Sequence, residues 1–233
     1  MLMKLLTPVK YLINLIFPKL CVACGVPLVK HEEFLCLHCL LNLPKTNYHL
    51  NPNNPAAGRF ADTASVKKVS SYLRYNKHGI TQAIVKEIKY RNNRKLGRWI
   101  GQMMAKDMAS SGFFDGIDLL LPVPLHSSRK RKRGFNQSLE IALGIQAVTS
   151  IPIDAKSVRR TGNNPTQTLK RWEERLENVT GIFTLVDGSA LKNRRIVLID
   201  DVMTSCATMK SLLGTILDAG TVETNVLTVA LAG

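Results

Sequence analysis

The chain predicts an α/β protein, a mostly parallel, doubly wound sheet fronted by a small four-cysteine module. Ile196-Val197-Leu198-Ile199 is an unbroken apolar run, rich in β-branched residues and free of Gly and Pro, as a strand buried on both faces requires. A second such run, Leu119-Leu120-Leu121, is closed by Pro122 and Pro124. Near the start, Cys21-x-x-Cys24 and Cys36-x-x-Cys39 form two paired-thiol turns separated by a short loop.

With 233 residues the chain can bury one sizeable core plus an appendage. Lys and Arg number 32 against 17 Asp and Glu, a net charge of +15, so polyanions are the expected partners, nucleic acid first and an anionic membrane surface second. A generally solvated basic surface is the plainer alternative, since charge says nothing about fold. Four clustered cysteines and a lone Cys206 fit metal binding in a reducing compartment better than a disulfide framework.

Residues 1–20 read as an amphipathic helix, with Leu5, Leu6, Val9, Leu12, Ile13 and Ile16 at helical spacing and Pro18 closing it. The run is too short to span a bilayer and carries Lys4 and Lys10, which leaves a helix packed on the body or a peripheral membrane contact. Residues 21–45 form the zinc module, with Cys21, Cys24, Cys36 and Cys39 as a closed, structural ligand set. Residues 46–65, rich in Asn, Pro, Gly and Ala, read as a linker or surface loop leading to the main domain.

The main domain takes up residues 66–233. Val66 to Tyr75 predicts a strand, and Ile80 to Tyr90 and Lys95 to Ala109 predict helices. Thr166 to Asn178 predicts a surface helix, Ile182 to Val186 a strand, and Glu223 to Ala230 a last strand.

The site chemistry is expected where Ile199 gives way to Asp200 and Asp201, a strand end followed by a Thr/Ser-rich turn and a helix. The first amides of that helix have no intrahelical partner and its dipole is positive there. Thr204, Ser205, Cys206, Ala207 and Thr208 can therefore hold a phosphate. Two carboxylates would repel a phosphate but suit sugar hydroxyls, or the water around a Mg²⁺ that a pyrophosphate brings. Phosphate beside diol describes a phosphorylated ribose. An ordinary strand end with a solvated acidic pair is the competing reading, and no GxxxxGK[ST] loop supports a nucleoside triphosphatase.

Val197 to Thr208, VLIDDVMTSCAT, resembles the phosphoribosyl-pyrophosphate (PRPP) signature of the type I phosphoribosyltransferases. The resemblance implies a fold of that type, with Asp200 and Asp201 facing the ribose hydroxyls as the catalytic acids and the following loop cradling the 5′-phosphate. Cys206 stands where that family has Gly, and a thiol at a helix N-terminus is expected to have a lowered pKa.

The densest charge follows the second strand, Arg129 to Arg133, then Gly134, Phe135, Asn136 and Gln137. Arg131, Lys132 and Arg133 offer charge to phosphates, Phe135 a ring for stacking, and Asn136 and Gln137 amides for bases, a mixture suited to single strands. Arg159 and Arg175 are further candidates for pyrophosphate or nucleic acid.

With the cysteine pairs and the RGFNQ block, the order of parts is similar to the ComF group of phosphoribosyltransferase-like proteins. The resemblance implies a part in natural competence, handling incoming single-stranded DNA on the cytoplasmic side of the inner membrane. Structural zinc, Mg²⁺ with PRPP, a competence helicase as partner and a peripheral membrane contact belong to the same expectation. A working phosphoribosyltransferase with an unknown acceptor, and a binding module with a vestigial pocket, are the two alternatives.

Overall fold

The computed structural model describes residues 17–162 and 182–233. The expected helices of residues 1–20 and 166–178, with Arg175, fall outside the described residues, apart from 17–20.

The cysteine module is built on two chain reversals and a short helix α1 (Leu37–Leu41). Its buried Cys21, Leu35, Cys39 and Leu43 belong to the same apolar cluster as Ile88, Ile100 and Leu120, so the module shares the main core. A polar tie adds to this, since Tyr72 Oη donates to Asp107 Oδ2 at 2.6 Å and Lys45 Nζ reaches the same oxygen at 2.6 Å.

Residues 46–65, read from composition as a linker or surface loop, are tied to the sheet. They carry the one-turn helix α2 (Pro55–Gly58), N-capped by Asn54, and pack along strand β1 (Val66–Arg74). Asn54 is 3% exposed, caps Ala56 and Ala57, and donates to the Val69 carbonyl. A side chain with donors and an acceptor can satisfy a buried irregular backbone, which composition alone does not reveal.

Helices α3 (Ile80–Tyr90) and α4 (Arg94–Met108) follow, then strand β2 (Leu119–Pro122). The basic run forms a short helix, α5 (Ser127–Arg133), ended by Gly134 at φ +77, a left-handed turn that favours glycine. Helix α6 (Gln137–Thr149) packs backbone to backbone on α4, because a Cβ at Gly101 would overlap the Ile141 carbonyl and one at Gly144 the Arg98 carbonyl. Strands β3 (Val158–Arg160) and β4 (Phe183–Leu185) form a separate antiparallel ribbon. Strand β5 (Arg195–Met203), helix α7 (Ala207–Asp218) and strand β6 (Glu223–Leu231) complete the described fold.

The main sheet is parallel throughout, in the order β1-β6-β5-β2. Ile196 to Ile199 are fully buried at its centre, between a cluster holding α3, α4 and α6 and a second holding α7. Strand β5 does not stop at Asp200. It runs on to Met203, still paired with β6, while its other neighbour β2 ends where Pro122 pairs with Ile199. Val123 makes the last bond on that side, to the Ile199 carbonyl. Among the described residues one edge of β5 is therefore unpaired from Asp200 onward, at the carboxyl end of the sheet.

Candidate functional site

Asp200 sits at the start of this unpaired edge. Its Oδ1 accepts from Ser138 Oγ on α6 at 2.8 Å and from the Asp201 amide at 2.8 Å. Burial, then the neighbouring Asp201 charge, pushes its carboxyl up to about 7, against the opposing pull of the Asp201 amide, Ser138 and Lys89.

Asp201 departs from the expectation that both acids are presented to a ligand. It is 5% exposed and pairs with Lys89 of α3 at 2.9 Å through Oδ1, while its Oδ2 meets no hydrogen-bond partner among the described residues. The alternation of a strand explains this, since Asp201 follows Val197 and Ile199 onto the face packed by α3, α4 and α6.

Beyond β5 the loop turns at Cys206, which N-caps α7 in the left-handed region at φ +60, ψ −4. For a residue with a Cβ this costs about 1–2 kcal/mol. Among the described residues the amides of Ser205, Cys206, Ala207 and Thr208 meet no protein acceptor. Thr204 and Ser205 are exposed, and Ala207 and Thr208 partly so. The Cys206 thiol is not activated. It is 6% exposed, and burial pushes it up despite the nearby cations of Arg59 and Lys210.

Two cations beside the loop were not evident from the sequence. Arg59 donates through Nη1 to the Thr204 carbonyl and through Nη2 to the carbonyls of Ala232 at 3.1 Å and Gly233 at 2.5 Å. Lys210 on the first turn of α7 pairs with Asp62 at 2.7 Å. Both contacts come from the segment expected to be a linker or surface loop, so that segment clamps the loop. Nothing local marks Arg59. Lys89, four residues after the buried Val85, did carry a signal, a cation on an apolar helical face.

A cleft of 1020 Å³ lies beside the end of β2, between α5 and the β3–β4 ribbon, with Lys130, Arg159 and Arg160 in its wall. Arg160 sits over the Phe183 ring at 5.6 Å. Burial lowers its guanidinium and Arg129 adds to this, while Asp200 opposes it, which relates the cleft to the acid.

Arg131 and Lys132 are exposed on α5, as is Arg159 on β3. The rest of the RGFNQ block is structural. Phe135 is 4% exposed, with the Arg94 guanidinium 5.2 Å from its ring centroid, so it offers no face to a base. Asn136 donates to the Val123 carbonyl at 3.0 Å and caps α6 at the Ser138 amide. Gln137 is buried and accepts from Arg133 at 2.7 Å. These residues seat α6, and with it Ser138, beside Asp200.

In the module, the sulfurs of Cys21, Cys24, Cys36 and Cys39 all lie within 4.8 Å of one another, with Cys24 and Cys36 at 3.7 Å. A tetrahedral ion with Zn–S bonds near 2.3 Å has sulfurs about 3.8 Å apart, so this donor set could hold zinc with no position left open. Burial opposes ionisation of Cys21, but the amides of Cys36, Cys24 and Ala23 win and bring its thiol down to about 6. Burial, then the neighbouring sulfurs, raises Cys39. Four converging thiolates repel one another without a cation among them.

Among the described residues no helix is long and apolar enough to cross a membrane. No profile of a known protein family matches the chain. It is 26% identical over 207 residues to competence protein ComFC of Bacillus subtilis, covering 83% of this chain and 82% of that protein. It is also 24% identical over 133 residues to competence protein F of Haemophilus influenzae, covering 55% of this chain and 58% of that one. Purine phosphoribosyltransferase from Pyrococcus horikoshii overlaps 57% of this chain and 74% of its own at a TM-score of 0.37 and 14% identity. By sequence over most of its length, and with a four-cysteine cluster near its start, the chain is thus similar to competence protein ComFC.

Proposed function

We propose that this protein binds Mg²⁺-PRPP at the start of α7 and handles incoming single-stranded DNA during natural transformation. One observation carries the reading. Among the described residues, four consecutive amides from Ser205 to Thr208 meet no protein acceptor, in the turn that follows Asp200 and the end of β5. The amides suit the 5′-phosphate, as an N-terminal helix end attracts an anion. Asp200 suits the ribose diol and the hydration shell of the Mg²⁺ that accompanies pyrophosphate. Asp201 acts through Lys89 as a positioning residue. Arg131, Lys132 and Arg159, exposed near the cleft, suit phosphates of DNA. The four cysteines hold a structural zinc. The proposal extends to work on the cytoplasmic side of the inner membrane, beside a competence helicase, as the resemblance in sequence implies.

The cleft favours a second reading. At 1020 Å³, and with Arg160 related electrostatically to Asp200, it is large enough to seat an acceptor for phosphoribosyl transfer. Calorimetric titration of Mg²⁺-PRPP into zinc-loaded protein, repeated with oligo-dT present, tests the proposal. Saturable binding lost in Asp200→Asn is expected, and equal affinity of that variant removes the pocket assignment. Pyrophosphate release upon adding DNA or nucleobases would move the function to the transferase reading.

A further inference from the structure

We propose that the shoulder from Tyr90 to Arg98, where α3 meets α4, is a docking surface for single-stranded nucleic acid, with Tyr90 as its base-stacking platform. This rests on the DNA-handling reading above and moves its base-stacking ring from Phe135 to Tyr90.

The aromatic ring has changed place from where the sequence put it. Phe135 is buried beneath Arg94, whereas Tyr90, the last residue of α3, is 75% exposed. The Arg133 guanidinium lies over the Tyr90 ring, 5.8 Å from its centroid, so a cation of α5 covers one side of a ring that, unlike that of the buried Phe135, remains largely exposed. Immediately after Tyr90 comes a hollow of 520 Å³ lined by Arg91, Asn92, Asn93, Arg94, Lys95 and Arg98 and by no acid. The attraction does not come from the helix end, which Asn93 caps at the Leu96 amide. It comes from four converging cations.

Those cations are incompletely neutralised. Glu87 engages Arg91 through one nitrogen at 3.5 Å, and that arginine's side chain stays 79% exposed. Glu140 engages Arg98 through Nε at 2.7 Å. Arg94 and Lys95 have no acidic partner among the described residues. Arg94 instead donates to the Gly134 carbonyl at 2.8 Å, which fixes it in the wall shared by this hollow and the larger cleft. The two hollows and the α5 cations thus form one basic surface that meets at Arg94, with an exposed ring at its side.

A charged groove that follows the backbone, together with a ring that takes the face of an unpaired base, is the chemistry of single-strand binding. In a duplex the bases are already stacked on one another and Tyr90 would find no face to meet.

Fluorescence anisotropy with labelled oligo-dT, an abasic strand of equal length, and a duplex decides the matter. Tyr90→Ala is expected to weaken oligo-dT about 5- to 150-fold, as loss of one stacked base does, and to leave the abasic strand unchanged. Tyr90→Phe retains wild-type affinity. Arg91→Ala with Lys95→Ala weakens all strands and lowers the slope of log K against log salt by about 1.4, or 0.7 for each phosphate released. Wild-type affinity of Tyr90→Ala for oligo-dT, an unchanged slope in the double variant, or equal affinity for duplex overturns the inference. If only Arg131 and Lys132 variants lose binding, this surface is refuted and DNA handling stands. A wild-type protein that binds no strand refutes both.

Discussion

Lys89→Met separates the roles of the two acids. The Asp201 side chain is 7% exposed and that of Lys89 22%, and their 2.9 Å contact is the only partner Asp201's carboxylate oxygens have among the described residues. Removing the cation leaves a buried carboxylate with neither oxygen paired, which costs about 3–5 kcal/mol in an enclosed site. Because Lys89 is partly open to water, the lower figure applies. A loss of about 3 kcal/mol lowers the melting temperature by roughly 6–12 °C for a chain of this size. Circular dichroism at pH 8 and fixed zinc reads it directly. Adding Asp201→Asn to Lys89→Met removes the stranded charge and is expected to restore more than half the loss. A single variant within about 2 °C of wild type, or a double variant no better than the single, refutes the structural role given to Asp201.

Asp200 follows the opposite sign. Its folded pKa of about 7 exceeds an unfolded value of about 4, so its stabilising contribution is present below about pH 4 and lost as pH rises through about 7. Mg²⁺-PRPP affinity, which needs the ionised acid, is expected to rise between about pH 6 and 8 and to be flat over that window in Asp200→Asn; a flat wild-type profile removes the assignment. Cys39→Ser or chelation is expected to release one metal ion and lower the melting temperature of the whole chain, because Cys21 and Cys39 lie in the main core. Metal-free protein with unchanged melting contradicts this. Arg59→Ala frees the Thr204 carbonyl and the left-handed Cys206 turn, and about 1.5–3 kcal/mol for a charged hydrogen bond predicts Mg²⁺-PRPP binding weakened about tenfold or more. Unchanged affinity assigns Arg59 to the C-terminus alone.

What the sequence made legible, and what it hid, divides along a physical line. Ile196 to Ile199, the loop after them, the helix behind and the cysteine spacing are local signals, each set by periodicity or by ligand spacing over a few residues, and the structure bears out that strand, its burial and the sulfur cluster. The partners of those elements come from far along the chain. Lys89 reaches Asp201 across 112 residues, Ser138 reaches Asp200 across 62, and Arg59 reaches Thr204 across 145. No window of sequence contains both ends of such a pair. The RGFNQ block shows the same limit from the other side. Its composition is that of a nucleic-acid contact, but a short helix ended by Gly134 turns Phe135 inward beneath Arg94, and the amides of Asn136 and Gln137 are taken up by Val123, Ser138 and Arg133. Residue type states what a side chain is able to bind. Only the packing of distant helices decides which of two aromatic residues, Phe135 or Tyr90, keeps a face open to do so.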